Sequence, residues 1–463
     1  MSMKIDSNRT VILNVISTFF IQGVTFLTTP IFSRWLGTEQ FGLYSTYISW
    51  VKVFSVIFGF SVVEGLATGR YKFKDEYYKF RSSVLLLGSI ICLFLCVCIF
   101  SLKDDISHII GFDANMVVLM SIAATFTFVI NFSNSAFIYE KKPHYNMIIS
   151  AIITLSSIGL QMILLYVSPI EKYISMSYGY AIPYVLIGII VWGFLFFKSP
   201  AKLNAVYAKY ALYLGIPIVF HLLSQTILSQ SDRVMMKSMG VSASEIGIYS
   251  LYYTLVLVLG IVLNALNASW APYYYDLLNE KKYDELDVKC KNYIELFSIL
   301  TIGFILVCRE IGYIMGDESY WSGIELVPLL VIGVYFTFMY QFAVNFEFFY
   351  RKNYLIAIGT VIGAGINIVL NVVLIPKWGM IGASFATVIS YGIMFIIHFI
   401  FVKFVLKEWF HLKMKYFIPF IMAIIFTMFL FYYLEKMWYI RWTVGFVIGL
   451  FELRRMVKRK NIF

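Results

Sequence analysis

The residue with the most distinctive chemistry is Lys52, a lone cation inside a long apolar stretch. Ser45, Ser49, Lys52 and Ser55 recur at helical spacing and share one face. An ammonium roughly two turns into a bilayer costs on the order of 2.5–3.5 kcal/mol unless it is solvated or paired. Lys52 therefore faces a polar cavity, where it offers charge to an anionic ligand, or pairs with a carboxylate such as Glu64 or Asp232, or snorkels to an interface. A second polar face carries Asn14, Thr18, Gln22, Thr25 and Thr29. A third carries His221, Gln225, Ser229 and Asp232, with Gln230 and Arg233 beside it. Asn264, Asn267, Asn367 and Asn371 either hydrogen-bond a ligand or hold helices together. His221 is the histidine on an embedded polar stripe, which makes it the candidate for proton coupling. Glu347 stands four residues before Arg351 and reads as half of an inner-surface ion pair.

These residues need elements that hold them in a membrane. Apolar residues make up 60% of the chain and charged residues 14%, and apolar runs long enough to cross a bilayer follow one another with short polar connectors. The runs fall near 11–32, 43–66, 84–101, 115–138, 146–167, 177–197, 211–232, 246–267, 291–308, 324–347, 354–375, 381–403, 416–433 and 437–452. They lack the alternation of barrel strands, so they are helices. The first run has no cleavage site and reads as a retained helix. Pro30, Pro183, Pro217, Pro272, Pro328 and Pro376 interrupt the runs, and Pro30 and Pro217, in the first and seventh, are the expected hinges. Ordinary helix termination accounts for Pro376.

With the N-terminus inside, 27 of the 37 Lys and Arg residues fall on inner segments and 9 on outer ones, the last being Lys52. That bias predicts both termini in the cytoplasm. The net charge of +11 is spread over alternating short loops, which argues for inner-leaflet contact and against nucleic-acid binding. The five cysteines show neither a disulfide framework nor a metal spacing. No cofactor or metal is expected. No nucleophile elbow, phosphate-cradling glycine loop or clustered catalytic set is visible, so the chain reads as a non-enzyme. The longest inner connector, from Pro272 to Lys291, is expected to be an amphipathic surface helix, and a docking site for a glycosyltransferase there is a weaker expectation.

An internal echo organises the chain. Phe41-Gly42-Leu43-Tyr44-Ser45 opens the second run, and Ile246-Gly247-Ile248-Tyr249-Ser250 opens the eighth. Each follows a loop bearing an arginine and a glycine, Arg34 and Gly37 or Arg233 and Gly240. Two six-helix halves in parallel pseudo-twofold repeat give this placement, a transporter architecture. The expected division is 1–200, 201–410, and an appendix of two helices with a basic tail at 411–463.

The stretches TTPIFSRWLGTEQFGLYS (28–45), SDRVMMKSMGVSASEIGIYS (231–250) and INIVLNVVLIPKWGMIGASFATVIS (366–390) resemble the polysaccharide repeat-unit flippases of the multidrug/oligosaccharidyl-lipid/polysaccharide exporter superfamily. The resemblance implies an all-α polytopic protein in the bacterial plasma membrane. Two six-helix bundles would rock around a central cavity and pass an undecaprenyl-diphosphate-linked oligosaccharide from the inner to the outer leaflet. It further implies contacts with membrane lipids, a proton or sodium ion as possible coupling species, and work alongside glycosyltransferases and a polysaccharide polymerase. For such a cargo, Lys52, Arg34 and Arg233 would meet the diphosphate, since a guanidinium forks onto phosphate oxygens. Gln22, Gln225, Asn14, Asn264 and Asn367 would line the cavity. Asp232, Glu64, His221, Pro30 and Pro217 would gate or couple, with Asp232 and Arg34 as a latch or both arginines as interfacial anchors. A lipid II flippase and a cation-coupled multidrug antiporter share the fold and stay open as alternatives.

Overall fold

The computed structural model describes the backbone of residues 2–406 and 413–459, and side chains from Gln22 onward apart from Leu453 and those beyond Arg455. The chain is helical throughout these residues. The helices are α1 (Ser2–Ile57), α2 (Gly65–Phe73), α3 (Tyr77–Ser101), α4 (Lys103–Ile110), α5 (Ala114–Tyr139), α6 (Pro143–Val167), α7 (Lys172–Phe197), α8 (Ala205–Ser238), α9 (Ala243–Asn279), α10 (Tyr283–Met315), α11 (Val327–Phe349), α12 (Asn353–Ile400), α13 (Ile418–Tyr433) and α14 (Trp438–Arg459). Two of them are double. α1 breaks at Gly37 (φ 71°, ψ 171°) and α12 at Gly379 (φ 51°, ψ −128°). Both glycines adopt left-handed φ values that a side chain disfavours. Counting each limb and leaving out the short α2 and α4, the described residues form fourteen long helical limbs, the expected number for a multi-pass membrane protein.

Several local expectations change. α1 ends at Ile57, short of Leu66, because the backbone turns left-handed at Phe60 (φ 44°) and Ser61 (φ 49°) before a single turn of 3₁₀ helix over Val62–Glu64. The connector after Pro272 is not a separate surface helix. α9 runs on through Pro272 to Asn279, α10 starts at Tyr283, and a tight turn joins them. In that turn Lys281 takes φ 56°, and the Lys282 N–H donates to the Leu277 carbonyl, the six-to-one bond of a Schellman motif. The same closure joins α5 to α6 (Lys141, φ 59°; Lys142 N–H to Phe137 O) and α11 to α12 (Arg351, φ 58°; Lys352 N–H to Glu347 O). Pro328 begins α11 instead of interrupting a span, which its missing N–H permits. Pro376 stays within α12, and the break comes at Gly379.

Packing separates the chain into two compact units, Met1–Gly247 and Ile248–Phe463. The core of the first gathers Tyr47, Val51, Phe58, Val62, Phe80, Val84, Phe128 and Phe132. Phe128 fits because Gly59 and Gly88 flank it; a Cβ on either would lie 2.2 or 2.3 Å from its ring. At one end of this unit Arg81 bridges three helices, with Nη1 2.6 Å from Glu140 and Nη2 donating to the Leu195 carbonyl at 2.7 Å. Lys142 completes the set 2.8 Å from the other Glu140 oxygen. In the second unit α11 packs along α12, and α10 carries α13 and α14.

Candidate functional site

Within the first unit the second limb of α1 and the end of α8 bring polar groups together. Helical spacing puts Ser45, Ser49 and Lys52 on one face of α1 and Ser229, Gln230 and Arg233 on α8. Ser49 Oγ donates to Gln230 Oε1 at 3.1 Å, and Gln230 Nε2 donates to Ser229 Oγ at 3.2 Å. Arg233, almost wholly buried, holds its guanidinium by an Nη1 bond of 3.1 Å to the Ser229 carbonyl. Lys52 is exposed, and the charged group acting on its ammonium is the Arg233 guanidinium. Among the described residues no carboxylate lies within ion-pair distance of Lys52, neither Glu64 nor Asp232. Lys52 and Arg233 thus act on each other electrostatically across neighbouring helices, and an exposed cation with no carboxylate within ion-pair distance among the described residues attracts an anionic ligand.

Elsewhere in the first unit, Tyr44 accepts a 2.7 Å bond from Gln161 Nε2, and Tyr180 and Tyr184 stack with centroids 4.6 Å apart. His221 bonds Gln225 at 3.2 Å one turn along α8. Asp232 is fully buried and Arg34 exposed, its Nη1 donating to the Pro30 carbonyl at 3.1 Å. Gln22 is half-buried, and its Oε1 has no hydrogen-bond partner. Asn14 lies outside the residues whose side chains are described. Glu64 sits half-buried in the 3₁₀ turn. Pro217 lies in α8 two residues beyond Gly215. A Cβ on Gly215 would meet the Phe60 carbonyl oxygen at 2.5 Å, so α8 rests directly on the left-handed turn.

In the second unit, α9, α11 and α12 enclose a cavity of about 130 Å³ whose polar lining is Asn264, Thr337, Thr387, Tyr253 and Tyr391. Asn367 and Asn371 are wholly buried and bond each other at 3.2 Å. Asn267 likewise accepts from Asn345 at 3.0 Å. The inner-surface pair expected for Glu347 and Arg351 is replaced by another: Glu347 is fully buried, 2.9 Å from His398. Arg351 occupies the exposed left-handed turn, which directs it away. Two ionisable residues near the same ends of neighbouring spans were the available signal, missed because His398 stands on no polar stripe.

Residues 7–277 match the polysaccharide biosynthesis protein family. The Lsg locus protein 1 of Haemophilus influenzae is 26% identical over 395 residues, which cover 78% of this chain and 91% of that protein. The fold is similar to that of the lipid II flippase MurJ in an inward closed conformation, with a TM-score of 0.75, 18% identity, and 97% and 100% of the two chains covered. It is also similar to an inward-facing multidrug resistance MATE family transporter of the MOP superfamily, with a TM-score of 0.66, 13% identity, and 86% and 98% covered. A match over more than half of the chain, joined to this fold, makes the protein a member of the polysaccharide biosynthesis protein family, built on the architecture of the multidrug/oligosaccharidyl-lipid/polysaccharide exporters.

Proposed function

We propose that the protein flips oligosaccharide repeat units linked to undecaprenyl diphosphate from the inner to the outer leaflet of the bacterial plasma membrane, for surface polysaccharide synthesis. The observation that carries this reading is the Lys52–Arg233 pair: two cations on neighbouring helices, one exposed, with no carboxylate within ion-pair distance of Lys52 among the described residues. A diphosphate supplies the missing charge. The glycan needs hydroxyl and amide partners, which Ser49, Gln230 and Gln225 offer in the first unit. The lipid tail stays in the bilayer, so only the head group has to cross. Alternating access, with both termini cytoplasmic and the halves expected at 1–200 and 201–410 rocking against each other, moves the head group without chemistry on it.

Lipid II is the second reading, supported by the likeness to a lipid II flippase; it presents the same diphosphate. A multidrug antiporter for cationic drugs fits less well, because paired cations repel such cargo. The test is translocation in proteoliposomes with defined undecaprenyl-diphosphate sugars, run with and without proton and sodium gradients. Movement of repeat units but not lipid II supports the first reading. Movement of lipid II alone replaces it, and movement of neither overturns both.

A further inference from the structure

An ionisable pair that the transport reading leaves unused lies where α11 and α12 end. Glu347 and His398 are both wholly buried, and His398 Nδ1 lies 2.9 and 3.1 Å from the two carboxylate oxygens, a geometry in which one N–H donates to both. The other ring nitrogen, Nε2, has no hydrogen-bond partner among the described residues. It faces Gly359 on the first limb of α12, where a Cβ would lie 2.6 Å from it. Tyr340 stacks on the imidazole with centroids 5.8 Å apart, and Phe401 meets it edge-on at 6.1 Å.

Charge bookkeeping makes this pocket specific. With Nδ1 protonated and Nε2 bare, the pair carries one net negative charge in a dry interior; one further proton makes it neutral. The added Nε2–H lacks an acceptor, but an unmet N–H costs less than an uncompensated buried carboxylate. α11 also ends here, at Phe349, so the negative end of its helix dipole favours an added positive charge. Other ionisable groups are turned elsewhere or distant in sequence. From α11 the ring meets Tyr340; the first limb of α12 has none between Tyr354 and Lys377; the second limb adds Tyr391, which lines the separate cavity. Lys403, in the π-helical turn that follows, lies over Phe399 and Phe404. α10 presents Tyr293 to Phe338 and Phe342, and α13 packs no charged residue between Ile418 and Phe431.

We infer that Glu347 and His398 form a proton-binding site of the second unit, in which one proton neutralises the pair and its loss loosens the end of α11 from the second limb of α12. The π-helical turn Phe401–Leu406, a wider turn often found where helices adjust, begins three residues after His398. The site does not depend on which cargo the protein carries.

Solid-state ¹⁵N NMR of the full-length, histidine-labelled protein in lipid bilayers reads the site directly, with His398→Gln assigning one of five histidines. The expected result is a His398 ring with both nitrogens protonated at the acid end of the range from about pH 5 to 8, losing one proton in a single step. In Glu347→Gln, which keeps an acceptor for Nδ1–H but removes the negative charge, the doubly protonated ring should no longer form in that range. Melting temperature should fall as the wild type passes through its step and stay level there in Glu347→Gln. A ring that stays neutral across the whole wild-type range overturns the inference without any variant. So does an unchanged titration in Glu347→Gln, which would leave the pair a structural hydrogen bond.

Discussion

Gly42 and Gly247 pack against each other reciprocally. A Cβ on Gly42 would lie 1.8 Å from the Ala243 carbonyl oxygen, and one on Gly247 would lie 1.9 Å from the Thr38 carbonyl oxygen. Thr38 stands four residues before Gly42 as Ala243 stands four before Gly247, so the contact has the form of a local twofold. Thr38 and Ser244 hydroxyls seal it at 2.5 Å. The echo in the sequence is therefore a contact in space, and glycine is required on both sides because the neighbour is backbone, which cannot turn aside.

Gly42→Ala and Gly247→Ala should each destabilise the protein by about 1–3 kcal/mol, the usual cost of overpacking. Because they spoil one shared contact, the double variant should cost clearly less than the two singles added together. Melting temperatures in detergent check this; strict additivity would mean the two glycines act separately.

Lys52→Ala should abolish or strongly reduce translocation with the protein inserted at normal level, and Lys52→Arg should retain part of it. Among the described residues Lys52 has no carboxylate partner to orphan, so its removal should leave melting temperature nearly unchanged. Normal export by Lys52→Ala would remove the cationic groove from the account.

Cysteines placed at Lys74 and Lys141 should resist impermeant thiol reagents in intact cells, while those at Lys103 and Lys172 should react, as the charge bias requires. Labelling at Lys74 from outside would reverse the topology.

Lys281 holds a left-handed turn at φ 56° with its side chain exposed. Replacing it by glycine removes a strain of about 1–2 kcal/mol and returns part of that as unfolded-chain entropy. Lys281→Gly should therefore raise stability slightly, by about 0.5–1 kcal/mol, in thermal melts. A marked loss would show that the turn depends on the lysine itself.

The appendix helices are fastened to α10 by ion pairs: Arg441 to Glu310, Arg455 to Glu295, and Arg309 to Glu435 at 3.3 Å. Arg441 is wholly buried, so Glu310→Ala strands an arginine and should cost about 3–5 kcal/mol. Limited proteolysis should then release α13 and α14 first. Cleavage elsewhere ahead of this hairpin would show that it is held by other contacts.

Membrane residence, helical class and the fourteen limbs were determined by sequence alone, because a bilayer leaves a long apolar run no other way to satisfy its backbone. The parallel echo was legible too, since a repeated junction keeps its glycine where two backbones must touch. Lys52 stood out for the same solvent reason: a cation in an apolar run is costly wherever the chain folds. Which charge acts on it was not legible: in the tertiary structure it is Arg233, and among the described residues neither Glu64 nor Asp232 comes within ion-pair distance. Glu347 lay near Arg351 in sequence, yet packing of α11 on α12 paired it with His398, fifty-one residues away. The breaks at Gly37, Phe60-Ser61 and Gly379, and the turn that replaced a surface helix after Pro272, were likewise decided in three dimensions. Spacing along a helix fixes which face a residue shares, but only the packing of other helices against that face decides which charge, cavity or backbone it meets.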